Sequence, residues 1–134
     1  MVMIAQATDL ILSVITRIPV PPGQITLFKA PYENSDGLSK AQLADTIRDG
    51  NEKSLTGVLA ALTNRVNGTP GLDTTRPGLQ FLIERDASRD GVYYRMRPET
   101  RAVIDRLPRL RDAMAKPVSE IRTIFEDEKS WLVL

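Results

Sequence analysis

The sequence predicts a mainly α-helical protein with a small β-hairpin, an α+β fold, and three observations support this class. Apolar residues recur at helical spacing along most of the chain. Residues 38–67 read as a short capped helix, a glycine turn and a longer amphipathic helix, and residues 79–96 then become rich in β-forming residues. The length of 134 residues, with 42% hydrophobic and 26% charged, suits one domain with its own core.

Composition limits the chemistry that this chain can perform. Cysteine and histidine are both absent, which removes disulfides, the usual zinc ligands and the usual general base. Glu84 and Asp86 share a strand face, but they have no basic or metal-binding company and are expected to be solvated. We therefore expect neither an enzyme nor a bound cofactor or metal.

The charge of the chain bears on its partners, and its first 20 residues bear on its location. The net charge of +1 gives no whole-protein case for nucleic acid, and the acidic residues 118–134 are expected to lie away from any nucleic acid. The aliphatic residues 1–20 are interrupted by Gln6, Asp9 and Arg17, without a basic leader or a cleavage site. We read them as part of the fold, and expect a cytoplasmic protein that does not enter a membrane.

The N-terminal 23 residues are predicted to form a helix and a connector. Residues 8–18 place a broad apolar face on one side of a helix that Pro19 stops. Pro21-Pro22-Gly23 forms a stiff connector. Residues 24–33 then predict a short helix that ends or kinks near Ala30, because Pro31 lacks a backbone donor.

Residues 38–67 carry the clearest local signals. Ser39 can cap a helix and Gln42 can bond back to it, which is a capping box, and Gly50 supplies the following turn. From Asn51 a second helix has an apolar stripe formed by Leu55, Val58, Leu59, Leu62 and Val66. The opposite side carries small residues, Gly57, Ala60 and Ala61, which either let this helix approach a nucleic-acid groove or pack against another helix.

The remaining elements follow in order. Residues 68–78 form a Pro-Gly loop, and the strands 79–85 and 92–96 form a hairpin that turns at Asp90-Gly91. Residues 98–107 predict a helix that starts at Pro98. A short helical piece follows in residues 108–117, and a last amphipathic helix starts at Val118 and runs nearly to the C-terminus.

This order of elements resembles the winged helix-turn-helix family of DNA-binding domains over residues 24–107. Leu38-Ser39-Lys40-Ala41-Gln42-Leu43-Ala44 looks like the family's support helix, residues 52–67 look like its recognition helix, and residues 79–96 look like its wing. The flanking residues 1–23 and 108–134 resemble the added helices of small dimeric bacterial regulators of the MarR and PadR groups. The resemblance implies sequence-specific binding of double-stranded DNA by a repressor-like transcriptional regulator.

On that reading, polar residues of the three elements would contact DNA. Asn64 is the expected base reader, because its amide can pair with adenine. Arg97 and Arg101 could equally make surface ion pairs. The full set of expected contacts is Ser39, Lys40, Gln42, Lys53, Ser54, Thr56, Asn64, Arg65, Arg76, Arg85 and Arg89.

The apolar faces at the two ends exceed what one small core is expected to absorb, which predicts a homodimer. Its interface would comprise Leu10, Ile11, Val14, Ile15, Ile121, Ile124, Phe125 and Trp131. A protein-interaction or assembly module without DNA binding is the alternative function, because winged helices serve both purposes and the charge is near neutral.

Overall fold

The computed structural model describes residues 3–48, 52–72, 78–89 and 91–134, with the side chains of 3–6, 48, 52–54 and 88–89 left out. Seven α-helices and a three-stranded antiparallel sheet form this part of the chain, an α+β fold of mainly helical content. Within these residues no helix is both long and apolar enough to span a bilayer. The helices are α1 (Met3–Thr16), α2 (Pro22–Glu33), α3 (Lys40–Arg48), α4 (Glu52–Asn67), α5 (Pro98–Asp105), α6 (Pro108–Met114) and α7 (Val118–Ile124), and the strands are β1 (Leu38–Ser39), β2 (Ile83–Arg89) and β3 (Gly91–Met96).

Helix α2 continues beyond the point where it was predicted to end. Pro31 lies in the last turn, and helical geometry extends to Glu33. The carbonyl of Ala30 accepts a hydrogen bond from Asn34 Nδ2 at 2.8 Å, and that of Pro31 accepts one from Arg101 Nη2 at 3.3 Å. These side chains satisfy carbonyls at the helix end, where backbone partners are lacking.

The predicted capping box at the start of α3 is confirmed. The Ser39 backbone N–H donates to Gln42 Oε1 at 2.9 Å, and the Gln42 backbone N–H donates to Ser39 Oγ at 3.1 Å. Ser39 has a second role that the sequence did not indicate, because Leu38 and Ser39 form β1 and pair with Tyr94 and Tyr93 of β3. The start of α3 is therefore fixed to the hairpin.

The predicted hairpin forms, but its first strand starts at Ile83 rather than at residue 79. Residues Gly78–Phe81 instead form a 3₁₀ turn. Gly78 has a φ of +61°, which favours glycine, and its N–H donates to Asn67 Oδ1 at 3.1 Å. The last residue of α4 thus positions the chain that enters the hairpin, and the sheet order is β1-β3-β2.

The last predicted helix is shorter in the structure. Helix α7 ends at Ile124, and a 3₁₀ turn at Glu128–Ser130 follows it. Leu132 then pairs with Val20, through backbone hydrogen bonds of 2.8 and 3.0 Å. The C-terminal segment is thereby attached to the connector between α1 and α2.

The predicted dimer interface is wrong for half of its residues, because these residues are already buried within one chain. Their side chains belong to the core of a single chain, where α1 packs against α5 and α7 packs against α2. Ile124 is 45% exposed, whereas Leu10, Phe125 and Trp131 are half-buried. The residues that are 0% exposed without any partner copy are Ile11, Val14, Ile15 and Ile121.

Candidate nucleic-acid interface

Helix α4 lies on the core with one side and leaves the other side open. The apolar stripe is buried as predicted, with Leu55, Leu62 and Val66 at 0% exposure and Leu59 half-buried. Burial of this stripe orients the helix, since the hydrophobic effect favours the apolar side facing inward. The exposed residues on the open face are Thr56, Gly57, Ala60, Ala61, Asn64 and Asn67.

Among the described residues, no other helix covers Gly57, Ala60 or Ala61 of α4. Gly57, Ala60 and Ala61 are exposed, and a Cβ atom built on Gly57 meets no atom within 4 Å. The packing alternative for these three residues is therefore wrong. Their small size leaves the α4 backbone accessible to a partner that approaches from outside the chain.

This openness predicts that Gly57→Ala stabilises the protein. Alanine restricts the unfolded chain and meets no obstacle in the helix, so the free energy of unfolding should rise by about 0.4–1 kcal/mol in urea denaturation. Gly71→Ala is the matched control, because Gly71 also has open space around it but a φ of +84°. Strain at that φ should make the control about 1 kcal/mol less stable than the wild type. Destabilisation by Gly57→Ala would mean that the open face is covered.

A groove with both polar and apolar lining separates α4 from the hairpin. Strand alternation places Arg85 and Tyr94 on one face, directly opposite each other in the register of β2 and β3. Arg85 is exposed, and it has no hydrogen-bond or ion-pair partner in the described part of the chain. The groove therefore contains an exposed guanidinium beside α4. Its lining residues are Thr63, Asn67, Gly78, Leu79, Gln80, Arg85 and Tyr94.

Strand alternation assigns the carboxylates of the hairpin to its other face, yet Glu84 and Asp86 also line a pocket together with Arg85 and Arg95. Glu84 and Asp86 alternate with Arg85 along β2. Arg95 of β3 lies between them, with its nitrogens 3.2 Å from Glu84 Oε2 and 3.7 Å from Asp86 Oδ2. Arg95 carries one positive charge against two carboxylates, so the pairing compensates only half of the local negative charge.

Arg65 corrects the sequence prediction, because it lies in the core and is only 4% exposed. It was expected to contact DNA from the flank of α4. Instead its guanidinium donates to the end of α1, where the last carbonyls of a helix lack backbone partners. Four of its hydrogen bonds go to Gln24 Oε1 at 2.7 Å and to the carbonyl oxygens of Val14 at 3.0 Å, Ile15 at 3.3 Å and Ile18 at 3.1 Å.

The electrostatic environment of Arg65 is consistent with a structural role. Desolvation, followed by repulsion from Arg17, lowers the pKa of Arg65 to about 10. The guanidinium therefore keeps its charge at neutral pH while it is buried. Arg17 lies next to it and donates to the Arg65 carbonyl at 3.1 Å and to Thr69 Oγ1 at 3.3 Å. Together the two arginines join α1 to the C-terminal half of α4.

The other predicted contacts fall into two groups. Thr56, Asn64 and Arg85 lie on or beside the open face of α4, while Lys40 and Gln42 are exposed at the start of α3 and Ser39 is half-buried there. The remaining predicted contacts lie outside the side chains that the structure describes: Lys53, Ser54, Arg76 and Arg89.

Arg97 and Arg101 act within the chain. Arg97 is 6% exposed, donates to the Phe81 carbonyl at 2.8 Å and pairs with Glu99 Oε2 at 2.9 Å. The guanidinium of Arg101 lies 4.6 Å from the centre of the Tyr32 ring, a cation–π geometry. Ion pairing is thus seen for Arg97, although in the interior rather than on the surface.

A second groove lies on the other side of α4, and it corrects the expected position of the acidic C-terminal residues. Glu126 and Trp131 line it together with Gly57 and Ala61 of α4. The acidic end is therefore adjacent to the open face, not away from it. No local pattern predicts this approach, because it depends on the pairing of Val20 with Leu132, over 100 residues apart in the chain.

Comparison with protein-family models, curated proteins and solved structures found no match to this chain. The observed architecture, a small α+β fold with several helices and a three-stranded antiparallel sheet, is compatible with a winged helix.

Proposed function

We propose that this protein is a winged helix-turn-helix DNA-binding protein that acts as a transcriptional regulator. The observation that carries the proposal is the open face of α4 beside a groove that contains the exposed guanidinium of Arg85, which has no hydrogen-bond or ion-pair partner among the described residues. A small-residue helix face fits into a major groove, and an adjacent arginine suits a phosphate or a minor groove.

Each element has a distinct part in the proposed complex. Asn64, exposed on the open face of α4, reads a base, and an amide side chain there favours adenine. Lys40 and Gln42 at the start of α3 contact the backbone and set the position of the protein on the duplex. Arg85 contacts a phosphate or the minor groove from the hairpin.

The role of Arg85 predicts a specific effect on salt dependence. Arg85→Ala should weaken binding to random and preferred duplexes alike, and should reduce the slope of log affinity against log salt by about 0.9. Arg95→Ala is the matched control, because it removes the same charge from the opposite face of the same hairpin, where Glu84 and Asp86 hold it. Fluorescence anisotropy with labelled duplexes over a salt series measures both slopes. Equal slopes for wild type and Arg85→Ala would exclude Arg85 from the interface.

A protein-interaction module is the second candidate, and the position of Glu126 favours it. This carboxylate lines the groove along α4, and Asp127 and Glu128 are exposed next to it in the chain. Negative charge beside α4 repels phosphates, while it suits a basic partner protein. Salt-sensitive DNA binding selects the first function, and absence of DNA binding at low salt selects the second.

A homodimer remains a prediction within this proposal. Of the residues predicted for its interface, Ile124 is 45% exposed, and Leu10, Phe125 and Trp131 are half-buried. Two copies related by a two-fold axis would read half-sites one helical turn apart, about 34 Å. Light scattering on the purified protein measures the oligomeric state directly.

A further inference from the structure

We infer that the second groove beside α4 binds a small organic cation that carries an aromatic or alicyclic ring. The groove lies between α4, the start of α2 with Pro21 before it, and the C-terminal segment, and it has a volume of about 430 Å³. Pockets for small molecules commonly span about 300–1,000 Å³. Its lining is Pro21, Pro22, Gly23, Gln24, Gly57, Val58, Ala61, Glu126 and Trp131.

The walls of this groove are held in place by hydrogen bonds within the chain. The Pro21 carbonyl accepts from the backbone N–H groups of Gln24 and Ile25, each at 3.1 Å. Backbone hydrogen bonds between Val20 and Leu132 fix the opposite wall next to Trp131. A ligand would therefore enter a largely preformed site, which lowers the entropic cost of binding.

The chemistry of the lining selects a cation with an apolar body. Pro22, Val58 and Ala61 supply apolar surface, and the half-buried Trp131 supplies an aromatic ring. Glu126 is exposed and has no ion-pair partner in the described part of the chain, so its carboxylate is available to an ammonium group. The indole N–H of Trp131 is shielded from solvent and likewise lacks a hydrogen-bond partner among the described residues.

Trp131 provides the measurement, since it is the only tryptophan of the chain. The full-length protein is excited at the red edge of absorption, where tyrosine does not contribute, and titrated with 2-phenylethylamine at neutral pH. The neutral analogue 2-phenylethanol has the same ring and a similar length. We expect a saturable change in emission for the amine at or below about 1 mM, with weaker binding of the alcohol.

Two variants locate the ligand. Glu126→Gln should weaken amine binding about three- to fivefold and leave the alcohol unchanged, as the loss of one partly exposed ion pair predicts. Ala61→Leu should abolish saturation by filling the groove, whereas Ala102→Leu, an equally exposed alanine on α5, should leave it intact. Circular dichroism checks that both leucine variants keep the helical content of the wild type.

The inference is overturned by linear quenching without saturation, by equal affinity for the amine and the alcohol, or by unchanged binding in Ala61→Leu. A saturable change in Trp131 emission with an arginine-rich peptide, without any change in emission with the amine, would overturn the inference in favour of a protein partner. The titration contains no DNA, so its outcome is independent of the proposed DNA binding.

Discussion

Replacing Arg65 with methionine should lower the free energy of unfolding by about 3–5 kcal/mol, the range for breaking a buried charged network from one side. The substitution preserves much of the side-chain volume but removes every donor of the guanidinium. It leaves Gln24 Oε1 and the carbonyls of Val14 and Ile18 without that partner. A buried acceptor that loses its hydrogen bond retains its desolvation penalty, and here several do so together.

The measurement is urea denaturation followed by circular dichroism. Arg109→Met is the matched control, because Arg109 is exposed on α6, and it should change stability by less than about 0.5 kcal/mol. Arg65→Lys should also be strongly destabilising, since one ammonium cannot reproduce the planar set of donors. If Arg65→Met is as stable as Arg109→Met, the guanidinium does not hold α1 to α4.

Local signals predicted the start of α3 and the orientation of α4. The capping box of Ser39 and Gln42 involves residues three apart, and its hydrogen bonds depend on one helical turn alone. The apolar stripe of α4 follows from periodicity in the same way, and its members are buried as the spacing predicts, Leu59 only in part. These features could be predicted because each is specified within a few residues.

Arg65 was misplaced because its acceptors lie about 50 residues earlier in the chain, at the end of α1. Only the tertiary fold brings α1 to α4. One local signal was nevertheless present: Arg65 follows Val58 by seven residues, which puts it almost on the buried side of the helix. A charged residue in that position requires buried partners, and here helix-end carbonyls supply them.

The predicted dimer interface is wrong for half of its residues for a related reason. The apolar faces of α1 and α7 were counted as surplus, whereas α5 covers part of α1 and α2 packs against α7. How much apolar surface one core absorbs depends on this arrangement of helices, which periodicity does not specify. The two grooves beside α4 could not be predicted from the sequence either. Their lining residues Gln80, Arg85, Glu126 and Trp131 come close to α4 only in the folded chain.

Ala60→Glu should abolish DNA binding while it leaves the fold intact. Ala60 is exposed at the middle of the open face of α4, away from the core. Relative to alanine, glutamate at an exposed helix position lowers the free energy of unfolding by only a few tenths of a kcal/mol. In the proposed complex, its carboxylate would lie against phosphates and base edges, and such like-charge contact costs several kcal/mol. We therefore expect affinity to fall at least about a hundredfold, for random and preferred duplexes alike.

The matched control is Ala102→Glu, which adds the same charge at an exposed alanine of α5, outside the proposed interface. This control changes only the net charge, and screening weakens the effect of distant charges. We therefore expect its affinity for DNA to fall by only about twofold at moderate salt. Anisotropy titrations of both variants, with unfolding curves to verify their folding, separate a local effect from a general one. Equal losses of DNA affinity in the two variants would point to non-specific electrostatics. Full DNA affinity in Ala60→Glu would exclude α4 from the DNA interface. A large loss confined to Ala60→Glu would mean that the open face of α4 contacts DNA, since net charge, fold and helix propensity are matched between the two variants.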